Sequence, residues 1–178
     1  LRRVLRISGP GMMQYLVGTA SWLGVMRIVA DFGSDALAGY TITIRVIVFA
    51  LLPSWGISNA AATLVGQNLG AKQPGRAERS VWYCTMVDVV FLSLMGLVFW
   101  INAEAVVRLF VTSPEAVRVG VESMRLLTAI YPIWAVAMVT VQSFNGAGDT
   151  TTPTYINLVA FWMIQIPLAW WLALPMGW

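Results

Sequence analysis

The stretch Val81–Ile101, VWYCTMVDVVFLSLMGLVFWI, holds a single charged residue, Asp88, in an otherwise apolar or uncharged run. A membrane-crossing helix needs about 20 predominantly apolar residues, and this stretch supplies them. Four more segments of the same kind flank it. Ile7–Val29 carries only Arg27, Ala36–Leu64 carries only Arg45, and Leu126–Gly148 and Thr150–Trp178 carry no charge. None alternates with the period of two that a barrel strand shows. In hydrocarbon every backbone N–H and C=O must find a partner within its own segment, which leaves helices. The expected fold is an all-α integral membrane protein, a polytopic bundle of about five transmembrane helices. They are placed near residues 7–30, 36–66, 80–102, 114–144 and 153–174.

Composition agrees with that expectation. The 178 residues are 58% hydrophobic and 11% charged, with a net charge of +3. Mean hydropathy is +0.74. A soluble domain is about 25% charged, so this chain is too poor in charge to cover a surface in water. By length it is about one domain. It has no histidine, which excludes histidine catalysis and His-ligated metals. Cys84 alone makes neither an internal disulfide nor a cysteine cluster. No acid pair has catalytic spacing, so no enzyme, cofactor or metal centre is expected.

The breaks between segments carry turn chemistry. Asp31-Phe32-Gly33-Ser34-Asp35 reads as a short turn, and Gly66–Ser80 as a longer polar loop with Lys72, Arg76 and Arg79. Ser113 reads as a helix N-cap, with Pro114 at the first helical position and Glu115 in the first turn. Asn145-Gly146-Ala147-Gly148-Asp149 ends the fourth helix. Glu115, Arg118, Glu122 and Arg125 fall on one helix face at spacings of three and four, as a solvated turn outside the membrane. Arg2, Arg3 and Arg6, with Lys72, Arg76 and Arg79, concentrate positive charge on one side. The positive-inside rule puts the amino end and the Gly66–Ser80 loop in the cytoplasm, with Asn145–Thr152 on the same side. A start at Leu1 inside a basic linker and an end at Trp178, where the fifth helix finishes, are expected of part of a larger protein.

Several residues are candidates for function. Pro10, Pro53, Pro132 and Pro167 fall in or at the entrance of membrane segments, where each removes a helix hydrogen bond and favours a kink. A charge at the bilayer centre costs roughly 2.5–3.5 kcal/mol on insertion scales. Arg45 has a stem long enough to snorkel. Asp88 is short, so it either pairs with a basic residue, lies at a shallower depth, or forms a proton or cation site. Arg27 and Asp31, four apart, fit an interfacial pair. Gln14, Thr19, Asn59, Gln142, Asn157 and Gln165 either bond between helices or line a cavity. Tyr131 and Trp134 flank Pro132 in a charge-free helix, and aromatic faces suit lipophilic cations. Gln14, Tyr131, Trp134, Asn157 and Gln165 are the substrate-cavity candidates. Trp22, Trp55, Trp82, Trp170 and Trp171 read as interfacial belts. The GxxxG of Gly66-Gln67-Asn68-Leu69-Gly70 indicates close packing at a helix end. No Gly-Lys-Ser/Thr follows it, so it is not a nucleotide loop, and no nucleic-acid partner is expected.

Two motifs give the segment order an identity. The first is Asn59 through Ala71, with Gly66, Gln67, Asn68 and Gly70, followed by Pro74 and Arg76-Ala77. The second is Asn145-Gly146-Ala147-Gly148-Asp149-Thr150, followed by Thr152-Pro153. With a weaker match at Ser8-Gly9-Pro10, the chain resembles the multidrug and toxic compound extrusion (MATE) family of transporters. The resemblance implies a place in helices seven through eleven of a two-lobe, twelve-helix transporter, with the first lobe and last helix absent. It implies antiport: organic cations or drugs leave by alternating access while H⁺ or Na⁺ enters. The implied partners are the lipid bilayer, small organic cations and the missing first lobe, in the cytoplasmic (inner) membrane. One departure is informative. Where the sodium-coupled branch of the family carries acids in its seventh and tenth helices, this chain has Gly18 and Ala135. Coupling would then use a carboxylate elsewhere, and Asp88 and Arg45 are this chain's own intramembrane charges. Two other readings stand beside this one: a lipid-linked sugar flippase or polysaccharide exporter of the same superfamily, and a non-transporting membrane scaffold. A flippase cavity needs several basic residues to hold a pyrophosphate, and only Arg45 and Arg27 are available.

Overall fold

A computed structural model describes residues 2–173, with side chains for residues 9–171 and 173. The side chains of Arg2, Arg3, Arg6 and Ser8 lie outside the described residues, as do Leu1 and the chain end from Leu174 to Trp178. The helices are α1 (Arg2–Ala30), α2 (Ser34–Gly70), α3 (Pro74–Arg108), α4 (Pro114–Ala129), α5 (Tyr131–Gly146), α6 (Thr151–Asn157) and α7 (Ile166–Ala173). A π-helical stretch, Leu158–Gln165, joins α6 to α7. No strand occurs among the described residues. Helices α2 and α3 are each long and apolar enough to cross a membrane, and α4 with α5 is long and apolar enough only when taken as a pair, bent by 54°. Helix α1 is less apolar, because Gln14, Thr19, Ser21 and Arg27 interrupt it.

Two segments expected as single helices are broken, and proline accounts for both. Residues 114–144 form two helices, because Pro132 has no N–H and its ring crowds the carbonyl four residues back. The chain breaks at Ile130, just before it. The carboxyl-terminal segment widens to π geometry and returns to α form around Pro167. An inserted residue per turn relieves the same clash. Pro10 and Pro53, by contrast, sit inside unbroken helices.

The chain divides into two compact units, Leu1–Gly33 with Gly148–Trp178, and Ser34–Ala147. In the first, α1 packs on the α6–α7 rod. Thr154 donates to the carbonyl of Pro10 (2.9 Å) or to that of Thr150 (2.7 Å). The Trp162 indole N–H donates to the carbonyl of Val17 (3.2 Å), and Ser21 donates to Gln165 (3.3 Å).

The second unit, α2–α5, follows a pattern opposite to that of a soluble bundle. The buried stripe of α2 is Gly39, Thr43, Ile47, Ala50, Leu51, Ser54, Ser58, Ala61 and Val65. These repeat at helical spacing and are mostly small or hydroxylated. Phe49, Tyr83, Met86, Ile101 and Ile133 face outward, where lipid solvates them. Lipid tails are as apolar as leucine, so helices associate through close packing and interhelical hydrogen bonds rather than through a hydrophobic drive. The glycines show where this happens. A Cβ on Gly39 would overlap the Ala116 carbonyl of α4, and one on Gly146 would overlap the Ala62 backbone of α2. A Cβ on Gly96 would lie 3.0 Å from the Thr128 carbonyl oxygen at the Pro132 break. Thr43 ties the first crossing by donating to the Gly120 carbonyl (2.9 Å). Larger side chains fill the remaining interior: Ile47, Leu51, Leu92 and Tyr131 in one cluster, Val107, Val117 and Met124 in another.

These crossings predict a sharp contrast between glycines. Gly146→Val should lower the unfolding free energy of the detergent-solubilised protein by about 1–3 kcal/mol, the range for overpacking. Gly56→Ala, which meets open space, should leave it unchanged or raise it. Equal effects in denaturant titrations would show that α2 and α5 do not cross at Gly146.

Candidate functional site

Asp88 lies on the buried stripe of α3, between Thr85 and Leu92 at helical spacing, and is 0% exposed. Its Oδ2 accepts a hydrogen bond from the Ser54 hydroxyl of α2 at 2.8 Å. The Met138 sulfur of α5 lies 3.6 Å from the same hydroxyl. Asp88 Oδ1 is buried with no hydrogen-bond partner. The basic partner that burial of a lone carboxylate would call for is not present: among the described residues no ion pair involves Asp88. Arg45 is exposed on the flank of α2 and pairs with no acid. Ser54 was not legible as a partner in the sequence. Only its position next to Pro53 and on the small-residue stripe marks it.

The cavity candidates divide between the two units. In the second, Tyr131 is fully buried beside Leu92, Ala135 and Ile47, and its hydroxyl has no partner. Trp134 packs edge-on against it (centroids 6.5 Å apart, planes at 65°) and keeps part of its surface exposed. Ala135, at one of the positions where the resemblance implies an acid, is sealed in that apolar cluster. In the first unit, Gln14 and Asn157 are half-buried, and Gln165 is exposed and bonded to Ser21. Two open, apolar depressions lie along the α6–α7 rod, and no cavity candidate lines them.

The two sequence motifs meet where α2 and α5 cross. The Gly66 position approaches the Gly146 carbonyl, an added Cβ falling 3.1 Å from its oxygen. One turn away, Gln142 donates to Asn59 (3.0 Å), and Asn145 donates to Gln142 (2.8 Å). Asn145 Oδ1 is buried without a partner. Gln67 is exposed and Gly70 meets open space, so Gly66 makes the close approach of the GxxxG alone. Asn68 caps the helix end: its side chain donates to Leu64 O (2.8 Å) and its carbonyl accepts from Gln73 N–H (2.9 Å). Lys72 turns the chain with φ +57°. Gly148 does the same after α5 with φ +85°, a conformation that favours glycine. Asp149 then starts α6, accepting from the Thr152 hydroxyl (2.6 Å), Thr152 N–H (3.0 Å) and Thr151 N–H (3.1 Å). Those bonds, the Thr152 hydroxyl foremost, hold its carboxyl below the ordinary range.

The remaining charges lie at exposed helix ends. Arg118 bonds Glu115 (2.6 Å) and Glu122 (3.3 Å), and Arg108 bonds Glu104 (2.8 Å). Arg125 does not join this ladder. The Arg27–Asp31 pair is not formed either: both side chains are exposed, and high dielectric offers little reward for holding them together. Ser113 occupies the N-cap position of α4 but its hydroxyl caps nothing.

Residues 10–171 match MatE. The chain belongs to the MatE family. It is 28% identical over 158 residues to the probable multidrug resistance protein NorM of Caulobacter vibrioides, covering 89% of this chain and 34% of that protein. It is 29% identical over 174 residues to the protein of the same name from Aromatoleum aromaticum, covering 97% and 37%. Its fold matches that of a multidrug resistance MATE family transporter of the MOP superfamily, solved in an outward-facing conformation. The TM-score is 0.90 at 18% identity, over 99% of this chain and 39% of that one. The chain thus spans little more than a third of its relatives' lengths. It is an integral membrane protein of a family of transporters rather than enzymes, embedded in a lipid bilayer.

Asp149 provides a pH test. Its carboxyl is held low in the folded state, so its stabilising effect is present above the ordinary carboxylate range and fades as pH falls through the folded value. Asp149→Ala should melt at lower temperature than wild type at neutral pH, and the gap should narrow as pH falls below the ordinary Asp value of about 3.9. A gap that does not change with pH would mean that the Asp149 bonds are not formed.

Proposed function

We propose that the chain is part of the second lobe of a longer secondary antiporter. That transporter exports organic cations or drugs across the cytoplasmic membrane by alternating access, in exchange for H⁺ or Na⁺. The observation that carries this reading is the MatE match across residues 10–171. The names of the relatives, which are multidrug resistance proteins, support it. The missing length is the first lobe, the partner against which this lobe forms a cavity, together with the last helix. The amino end and the Gly66–Ser80 loop face the cytoplasm, because Lys72, Arg76 and Arg79 concentrate there. In the α2–α5 unit Trp134 supplies aromatic surface, with Tyr131 setting its position from within the core; in the other unit, taken by itself, Gln14, Asn157 and Gln165 supply polar surface. The broken α4–α5 span and the π-helical stretch provide the bends that such a transporter needs.

Expression together with the preceding sequence in a drug-sensitive bacterial host should lower ethidium accumulation. Trp134→Ala should weaken apparent ethidium affinity about 2–10-fold, the worth of one aromatic–cation contact. Unchanged accumulation with confirmed membrane expression would count against cation export. Accumulation of a lipid-linked sugar precursor on deletion would favour the flippase reading instead.

A further inference from the structure

From the geometry around Asp88 we infer a proton-binding site in the core of the α2–α5 unit. It is built from the Asp88 carboxyl and the Ser54 hydroxyl. This rests on the transporter reading above and assigns its coupling ion: a proton, taken up and released at Asp88.

Three observations converge. Asp88 is wholly buried on a helix long and apolar enough to cross a membrane, with one oxygen bonded to Ser54 and the other bonded to nothing. Among the described residues no cation pairs with it. Its partner on α2 is Ser54; Ser58, one turn further along the same buried stripe, donates back to the Trp55 carbonyl (3.1 Å), and Arg45 is exposed more than two turns away. On α3 the titratable neighbour is Cys84, one turn away and itself uncharged as a thiol. From α5 come Met138 and, in the adjoining apolar cluster, the Tyr131 phenol. The charged residues of α4, Glu115, Arg118, Glu122 and Arg125, are all exposed. A bare carboxylate is not kept in such surroundings, and the ion that compensates it must fit the ligands present. A hard metal cation takes about six oxygens or more. Here two oxygen-bearing side chains converge and the third neighbour is a thioether, which leaves a proton.

The location also gives the proton an effect. Pro53, just before Ser54, cannot donate to the Phe49 carbonyl, so α2 lacks a backbone hydrogen bond at this turn. With Asp88 neutral, the Ser54 hydroxyl donates to the acid's carbonyl oxygen and holds the weak turn of α2 against α3 and α5. Loss of the proton leaves an anion that needs further donors or water, which the closed packing does not provide. Release of one proton therefore loosens this junction, and uptake of one re-forms it.

Infrared difference spectroscopy on the purified full-length protein at neutral pH tests the site without requiring transport. A protonated-carboxyl C=O band should be present in wild type, absent in Asp88→Asn, and shifted to higher frequency in Ser54→Ala. An identical band in Asp88→Asn, or no such band in wild type, would overturn the inference. Should Asp88→Asn fail to fold, the Ser54→Ala shift decides alone, and an unmoved band counts against the site. Ethidium efflux is scored separately. If wild type fails to lower accumulation while the infrared band behaves as stated, the export reading fails and the proton site stands.

Discussion

The close approach of backbone to backbone is the constraint on which the α2–α5 unit depends. In lipid, burying a leucine against another helix gains little, because the tails already solvate it. The helices meet instead where side chains are absent. Gly39 faces Ala116 and Gly120, Gly146 faces Ala62, and Gly96 faces the carbonyl of Thr128. Each crossing brings polar backbone close enough for a short side chain to bridge it, as Thr43 does to Gly120. The bulky residues displaced from these crossings become the lipid-facing surface.

That arrangement explains why polar groups sit inside. On α2 the buried stripe includes Thr43, Ser54 and Ser58, and on α3 it includes Thr85 and Asp88. Hydroxyls can bond their own helix or a neighbour, so they tolerate the interior. Asp88 tolerates it less well, since one oxygen remains unpartnered. An unsatisfied buried group is the kind of local inconsistency that functional sites retain, and among the described residues this unit holds three: Asp88 Oδ1, the Tyr131 hydroxyl and Asn145 Oδ1. The same logic applies to Asn145, whose unpartnered Oδ1 ends the chain of bonds from Asn59 through Gln142.

Much of the architecture was legible in the sequence because apolar run length is a strong signal. The spans 36–66 and 80–102 were readable in this way, and α2 and α3 extend past them into polar caps at Gly70 and Arg108. The breaks were less legible. A proline inside a charge-free run is either absorbed, as at Pro53, or splits the helix, as at Pro132, and the run alone does not distinguish the two. At the Pro132 break the Thr128 carbonyl lies against Gly96 of a helix distant in sequence. The candidate site was half legible. Asp88 declared itself by charge, while Ser54 and Met138 did not, because hydroxyl and thioether are ordinary in membrane helices. The joining of the two family motifs through Gly66 and Gly146 could not be read from either motif alone.

The crossing of α2 and α5 is the central claim, and short-reach thiol cross-linking tests it most directly. In a Cys84→Ser background, Asn59→Cys with Gln142→Cys should be joined rapidly by a short bifunctional reagent in native membranes, since these side chains are hydrogen-bonded at 3.0 Å. Asn59→Cys with Ile133→Cys, where Ile133 lies on the outer face more than two turns along α5, should not be joined. Cross-linking of the second pair but not the first would contradict the packing described for the bundle.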